Sequence, residues 1–153
     1  MFDFWHKWFV FAAAAMVVMG LGLAVLGLTP AMALVTGLYD PFFWGARTPD
    51  AGAVSFQVFA FGVIGALMAG WGVMALGLGL NAMARRERWA WIYAVEAIAL
   101  WFVVDTAMSW ASGGLINIAG NIGFLLLFAP PLIGMRKFMT GGRQATGGHP
   151  ITA

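Results

Sequence analysis

Apolar residues run along this chain in four long blocks separated by short polar stretches. The blocks are continuous rather than alternating, which reads as helix and not strand. The first covers about 8–28 ("WFVFAAAAMVVMGLGLAVLGL"), the second about 56–80, the third about 89–111 and the fourth about 115–133. Each holds at least about 19 residues, close to the ~20 that span the hydrocarbon layer. The pattern predicts an all-α polytopic membrane protein. Residues 1–138 form a four-transmembrane-helix antiparallel bundle, and 139–153 form a flexible tail rich in glycine and polar residues.

The connections differ in length. "NAMARRER" and "SGG" are short, so the helices they join are expected to be antiparallel neighbours. The segment 29–55 is long and carries Tyr39, Phe42, Phe43 and Trp44, residues suited to a headgroup layer. A short interfacial helix is expected around 31–38, acting as an anchor or as a lid. "TPD" at 48–50 reads as a helix start, with Thr48 as N-cap, Pro49 in the first helical position and Asp50 facing the helix dipole. "AMA" at 31–33 resembles a signal-peptide cleavage site, but the apolar run before it is too long for one.

Charge adds orientation. Lys7, Arg85, Arg86, Arg88, Arg136, Lys137 and Arg143 fall on one side of the predicted layer, and only Arg47 falls on the other. The positive-inside rule then places both termini in the cytoplasm. The basic residues flank apolar segments, so they mark topology and give no nucleic-acid signal. Composition agrees: 62% of the 153 residues are hydrophobic and 9% charged, too little charge to cover a soluble domain.

Chemistry is sparse. Cysteine is absent, which removes disulfides, thiol catalysis, iron–sulfur ligation and covalent haem attachment by this chain. The two histidines, His6 and His149, lie near the chain ends. His6, among the aromatics of "FDFWHKWF", is the one candidate to ligate a porphyrin or chlorin metal; no other metal site is expected. There is no "HExxH", no serine–histidine arrangement and no phosphate loop. Asp105 is the only aspartate at membrane depth, so an aspartyl pair is missing as well. No catalytic residue is expected.

Small residues mark packing faces. The second block carries Gly62, Ala66 and Gly70 on one row and Gly65, Ala69, Val73 and Gly77 on another, and the first adds Gly20 and Ala24. Such rows let helix backbones approach closely, within one chain or between copies.

The third block, "WAWIYAVEAIALWFVVDTAMSW", raises the sharpest question, because it carries Glu96 and Asp105. Nine residues apart, they project about 180° from each other and roughly 13 Å along the helix. Each needs its own explanation. Counting outward through "SGG" sets Asp105 level with Asn121, with Asn117 one turn nearer the outside. A polar cluster of Asp105, Ser109, Asn117 and Asn121 is expected, with Gln57 within reach and Trp101 nearby. It is either a structural clasp or a site for a small molecule, ion or proton. Glu96 is expected to meet His6, Lys7, Arg136 or an inner-loop arginine, or else to carry a proton.

A glycine-rich second block, "RRERWAW", "WFVVDT" and "NIAGN" follow one another in an order that resembles small four-helix bacterial membrane proteins of the broad DoxX-like kind. The resemblance covers mostly residues 56–135. It implies a four-helix bundle in the bacterial inner membrane, and some DoxX-like proteins are associated with quinone-linked redox complexes. It carries no catalytic residue onto this chain. The expected function is that of a non-enzymatic accessory subunit or small binding module in a membrane complex or homo-oligomer, surrounded by membrane lipids. The alternatives are a small proton-coupled transporter using Asp105 and Glu96, and a redox component binding quinone or pigment; quinone, lipid and pigment are the candidate cofactors.

Overall fold

The computed structural model describes residues 1–141; Arg143, His149 and the remainder of the tail lie outside the described residues. Within them the chain forms five α-helices: α1 (Phe2–Leu26), α2 (Met32–Phe43), α3 (Ala51–Leu78), α4 (Arg88–Ala111) and α5 (Leu115–Thr140). A π-helical turn, Gly79–Met83, continues α3. All but α2 are long and apolar enough to cross a membrane. Their outward faces carry Phe11, Val18, Leu67, Leu100 and Leu126, each more than half exposed, as a protein solvated by acyl chains requires.

The helices exceed the apolar blocks at several ends. The first begins at Phe2, not near residue 8, because "FDFWHKWF" already coils: Phe2 stacks on His6 and Trp5 packs on Trp8. The last reaches Thr140, beyond the expected boundary at 138. The helix expected over 31–38 runs to Phe43. The N-cap of α3 is Asp50, whose Oδ1 accepts from the Ala53 N–H at 2.7 Å, and not Thr48. A carboxylate answers an orphan N–H and the helix dipole together.

Helix order departs from the simple expectation. α1 lies between α3 and α5, and α4 packs on α5. Although "NAMARRER" is short, α3 and α4 do not pack against one another along their lengths. They meet through the π turn, where Ala82 and Met83 join Phe9, Ala90, Phe128 and Met135 in a buried core. The molecule is therefore closed at the end holding both Met1 and Thr140, here the terminal end. It opens between α3 and α4 toward the opposite, loop end, across which α2 lies.

Close contact between α1 and α3 rests on backbone meeting backbone. A Cβ on Gly65 would lie 2.5 Å from the Gly20 carbonyl oxygen, and one on Gly72 2.8 Å from the Val17 nitrogen. The row that packs is Gly65, Ala69 and Gly72, the buried positions of α3; Gly62, Gly70 and Gly77 face open space. Val73, expected in the packed row, is 58% exposed. The π turn also comes close to α1. Its Gly79 sits against Phe9 and Val10, and the Gly79 carbonyl accepts from His6 Nε2 at 2.8 Å.

α5 carries Pro130 and Pro131 in its interior. Pro131 lacks the N–H that would bond the Leu127 carbonyl. The Trp8 indole N–H donates to that carbonyl instead, at 3.0 Å, so a neighbouring helix replaces the missing bond. Trp8→Phe is expected to destabilise the protein by about 1–2 kcal/mol by leaving the carbonyl unpaired. In a Pro131→Ala background, where the helix supplies its own N–H, most of that loss should vanish. Detergent-induced unfolding of the four variants of this cycle measures it; an equal loss in both backgrounds would refute the account.

Candidate functional site

The gap between α3 and α4 is a cleft of about 780 Å³, in the range of small-molecule sites. Phe9, Met16 and Leu23 of α1 form its floor, and Tyr39 and Phe43 of α2 cross its loop end. α3 contributes Phe61, Met68 and Trp71 to one wall. On α4, Trp101, Asp105, Met108 and Ser109 line the other, with Ser112 just past its end, since spacings of three and four keep side chains on one face. Asn117, Asn121, Phe124 and Phe128 of α5 recur every three or four residues and complete the lining. Methionines and aromatics give an adaptable apolar body.

The polar groups gather toward the loop end. Asp105 Oδ1 accepts from Asn117 Nδ2 at 2.8 Å and from the Ser109 hydroxyl at 3.2 Å. Asn117 also donates to Ser109 Oγ at 2.8 Å, and the Ser109 hydroxyl bonds the Asp105 carbonyl at 2.7 Å. Ser112 follows, donating to the Ser109 carbonyl at 3.3 Å. Asp105 lies six residues before the end of α4, about 9 Å along the axis. Burial pushes the Tyr39 phenol up from its ordinary pKa, and the nearby Asp105 carboxylate pushes it further. Tyr39 therefore stays protonated near neutral pH, with an O–H available at the polar end.

Asp105, Ser109 and Asn117 come together, and Trp101 joins the cleft one turn below Asp105, with its ring edge-on to Phe124 at 6.0 Å. Two expected members bond elsewhere. Asn121 lines the cleft but donates to Thr106 Oγ1 at 3.2 Å. Depth from the turn sets Asn121 beside residues 105 and 106, and the 100° step between them turns Thr106 toward α5. Gln57 bonds Asp40 of α2, because α2 lies over the start of α3 and intercepts it. The sequence placed Tyr39 and Phe43 in a headgroup-layer anchor or lid without assigning them to this cluster, and Thr106 was not singled out. The first two carry the signal of interfacial anchors, and only the path of α2 brings them to the cleft.

Glu96 is exposed and has no ion pair with His6, Lys7, Arg136 or an inner-loop arginine. Five residues before Trp101, it projects about 140° away from it, so it faces outward, away from the cleft. One of the inner-loop arginines, Arg85, instead bonds Glu87 at 2.6 Å, the only salt bridge among the described residues. That hydrogen bond, aided by one from Trp89, lowers the Glu87 pKa. His6 has its Nε2 occupied by the Gly79 carbonyl and its ring stacked under Phe2, an arrangement that pins α1 to the π turn.

No family model, curated protein or solved structure matches this chain.

Proposed function

We propose that this protein is a non-enzymatic membrane binding module that admits an amphiphilic molecule sideways from the bilayer, between α3 and α4. One observation carries the reading: a cleft of about 780 Å³, apolar along its length, ends in a hydrogen-bonded cluster of Asp105, Ser109 and Asn117. A ligand's apolar body, whether of a lipid, quinone or pigment, lies along Met16, Met68, Trp101 and Phe124, and its polar end meets the cluster beneath Tyr39. The chain works in a DoxX-like manner, as an accessory subunit in a bacterial inner membrane with both termini cytoplasmic. Its assembly contact is a second copy on the outward face of α4. Copies inserted in the same direction bring Glu96 beside Glu96, where one proton held between two carboxyls halves the charge that the pair places in lipid.

Gly120 lines the cleft, and a Cβ there would touch nothing within 4 Å. Gly120→Trp should fill the cleft without disturbing the helices. Mass spectrometry of extracts from purified protein should find an amphiphile enriched over the bulk membrane with wild type. The variant should retain it at least about tenfold less, equivalent to ~1.4 kcal/mol of affinity, with an unchanged unfolding midpoint. Identical extract profiles would refute the cleft as a binding site.

A further inference from the structure

The polar end of the cleft has an unbalanced inventory. Asp105 supplies a carboxylate, and no lysine, arginine or histidine among the described residues lines the cleft. Among the described residues, no cation lies within ion-pair distance of Asp105. Both donors that reach its carboxylate, from Ser109 and Asn117, fall on Oδ1. Oδ2 has no hydrogen-bond partner among the described residues, yet no buried side-chain polar atom lacks one, so Oδ2 opens into the cleft. The walls around it are aromatic. Trp101 lies one turn away on the same face of α4, and Tyr39 and Phe43 cross from α2.

An ionised carboxylate in a low-dielectric cleft is costly without a partner. Hydroxyls and amides offset part of that cost; a cation offsets more, and an anion adds to it. Aromatic faces hold the same preference, since their negative quadrupole attracts cations stripped of water. The Arg85–Glu87 pair lies at the terminal end, outside the cleft lining, and does not supply the missing charge.

Resting on the binding-module reading above, we infer that the cleft selects a lipophilic organic cation, a quaternary or protonated centre carrying apolar groups, with its charge beside Asp105 Oδ2 and its apolar groups against Trp101, Tyr39 and Phe43. Neutral molecules of the same shape fit the walls but leave the carboxylate uncompensated. Anionic amphiphiles are rejected.

Protons compete for the same oxygen. The titratable groups lining the cleft are Asp105, Tyr39 and Tyr93; α1, α3 and α5 contribute none to it, and Asp40 of α2 is engaged by Gln57. Acidification that protonates Asp105 therefore weakens the cation, and no other cleft group gains a charge to replace the carboxylate's.

The test uses two arene probes of similar shape, tetraphenylphosphonium and uncharged triphenylphosphine oxide. Binding is read by tryptophan quenching of the full chain in phosphatidylcholine nanodiscs, which carry no net surface charge. Wild type should bind the phosphonium saturably, with affinity falling on acidification. Asp105→Asn keeps an acceptor for Ser109 and Asn117, so the cluster should persist. It should weaken the phosphonium at least tenfold, abolish the pH dependence and change phosphine oxide binding less than twofold. Glu96→Gln, which removes the outward carboxylate, should change neither probe. An Asp105→Asn variant that binds phosphonium as wild type does, or a wild type that does not bind it, overturns the cation assignment. Either result leaves the cleft reading to be judged by Gly120→Trp and the extracted lipid.

Discussion

Gly65→Leu should lower stability by about 3 kcal/mol or more, the upper part of the range for overpacking a close-fitting interface. The reason is the partner it would strike. A Cβ at Gly65 meets the Gly20 carbonyl oxygen at 2.5 Å and the Ala24 nitrogen at 2.6 Å, and one at Gly20 meets the Ala69 nitrogen at 2.5 Å. These are backbone atoms, so no rotamer change relieves the clash and α1 must move off α3. Even Gly65→Ala should be measurably destabilising. Gly62→Ala and Gly70→Ala are the controls, because a Cβ there meets nothing within 4 Å. They should be neutral or stabilising by up to about 1 kcal/mol, the difference in helix propensity. Unfolding midpoints in mixed micelles give the comparison. Similar losses at Gly62 and Gly65 would mean that the α1–α3 contact is misassigned.

Glu96→Leu should do the reverse and raise the stability of the isolated chain in bilayers by about 2 kcal/mol. The estimate follows from the difference between an acidic and an aliphatic residue at membrane depth, reduced because Glu96 is not at the helix centre. It lies eight residues into α4, about 12 Å along the axis, and is exposed with no ion-pair partner among the described residues. Its outward neighbours Trp89, Val103 and Trp110, spaced by seven residues with it, are each half exposed or more. A carboxylate at this place is unfavourable for a lone chain. Under the proposed pairing between copies, the same substitution should weaken the assembly while stabilising the monomer. Unfolding of dilute protein in bicelles, with oligomer state read by cross-linking in native membranes, separates the two effects. A loss of monomer stability would show that Glu96 has a partner within its own chain.

Hydropathy and composition alone determined that four stretches are helical and long enough to cross a membrane, because each apolar block must satisfy its own backbone hydrogen bonds in lipid. The turn "SGG" is short enough that Asp105, Ser109 and Asn117 had to lie near one another on paired helices, so most of the polar cluster was legible from spacing. What spacing could not decide was azimuth and neighbour choice. A step of 100° sent Asn121 to Thr106, and α2 took Gln57 through Asp40. The short link after α3 implied that α3 and α4 would pack together. Instead the close backbone fit at Gly20, Gly65 and Gly72 drew α3 onto α1, and the π turn let α4 join α5. Only that tertiary arrangement opened the cleft, brought Tyr39 and Phe43 over its polar end and turned Glu96 outward. The physical reason is that a sequence period specifies which residues share a helix face, whereas which face meets which neighbour is settled by how closely two backbones can approach.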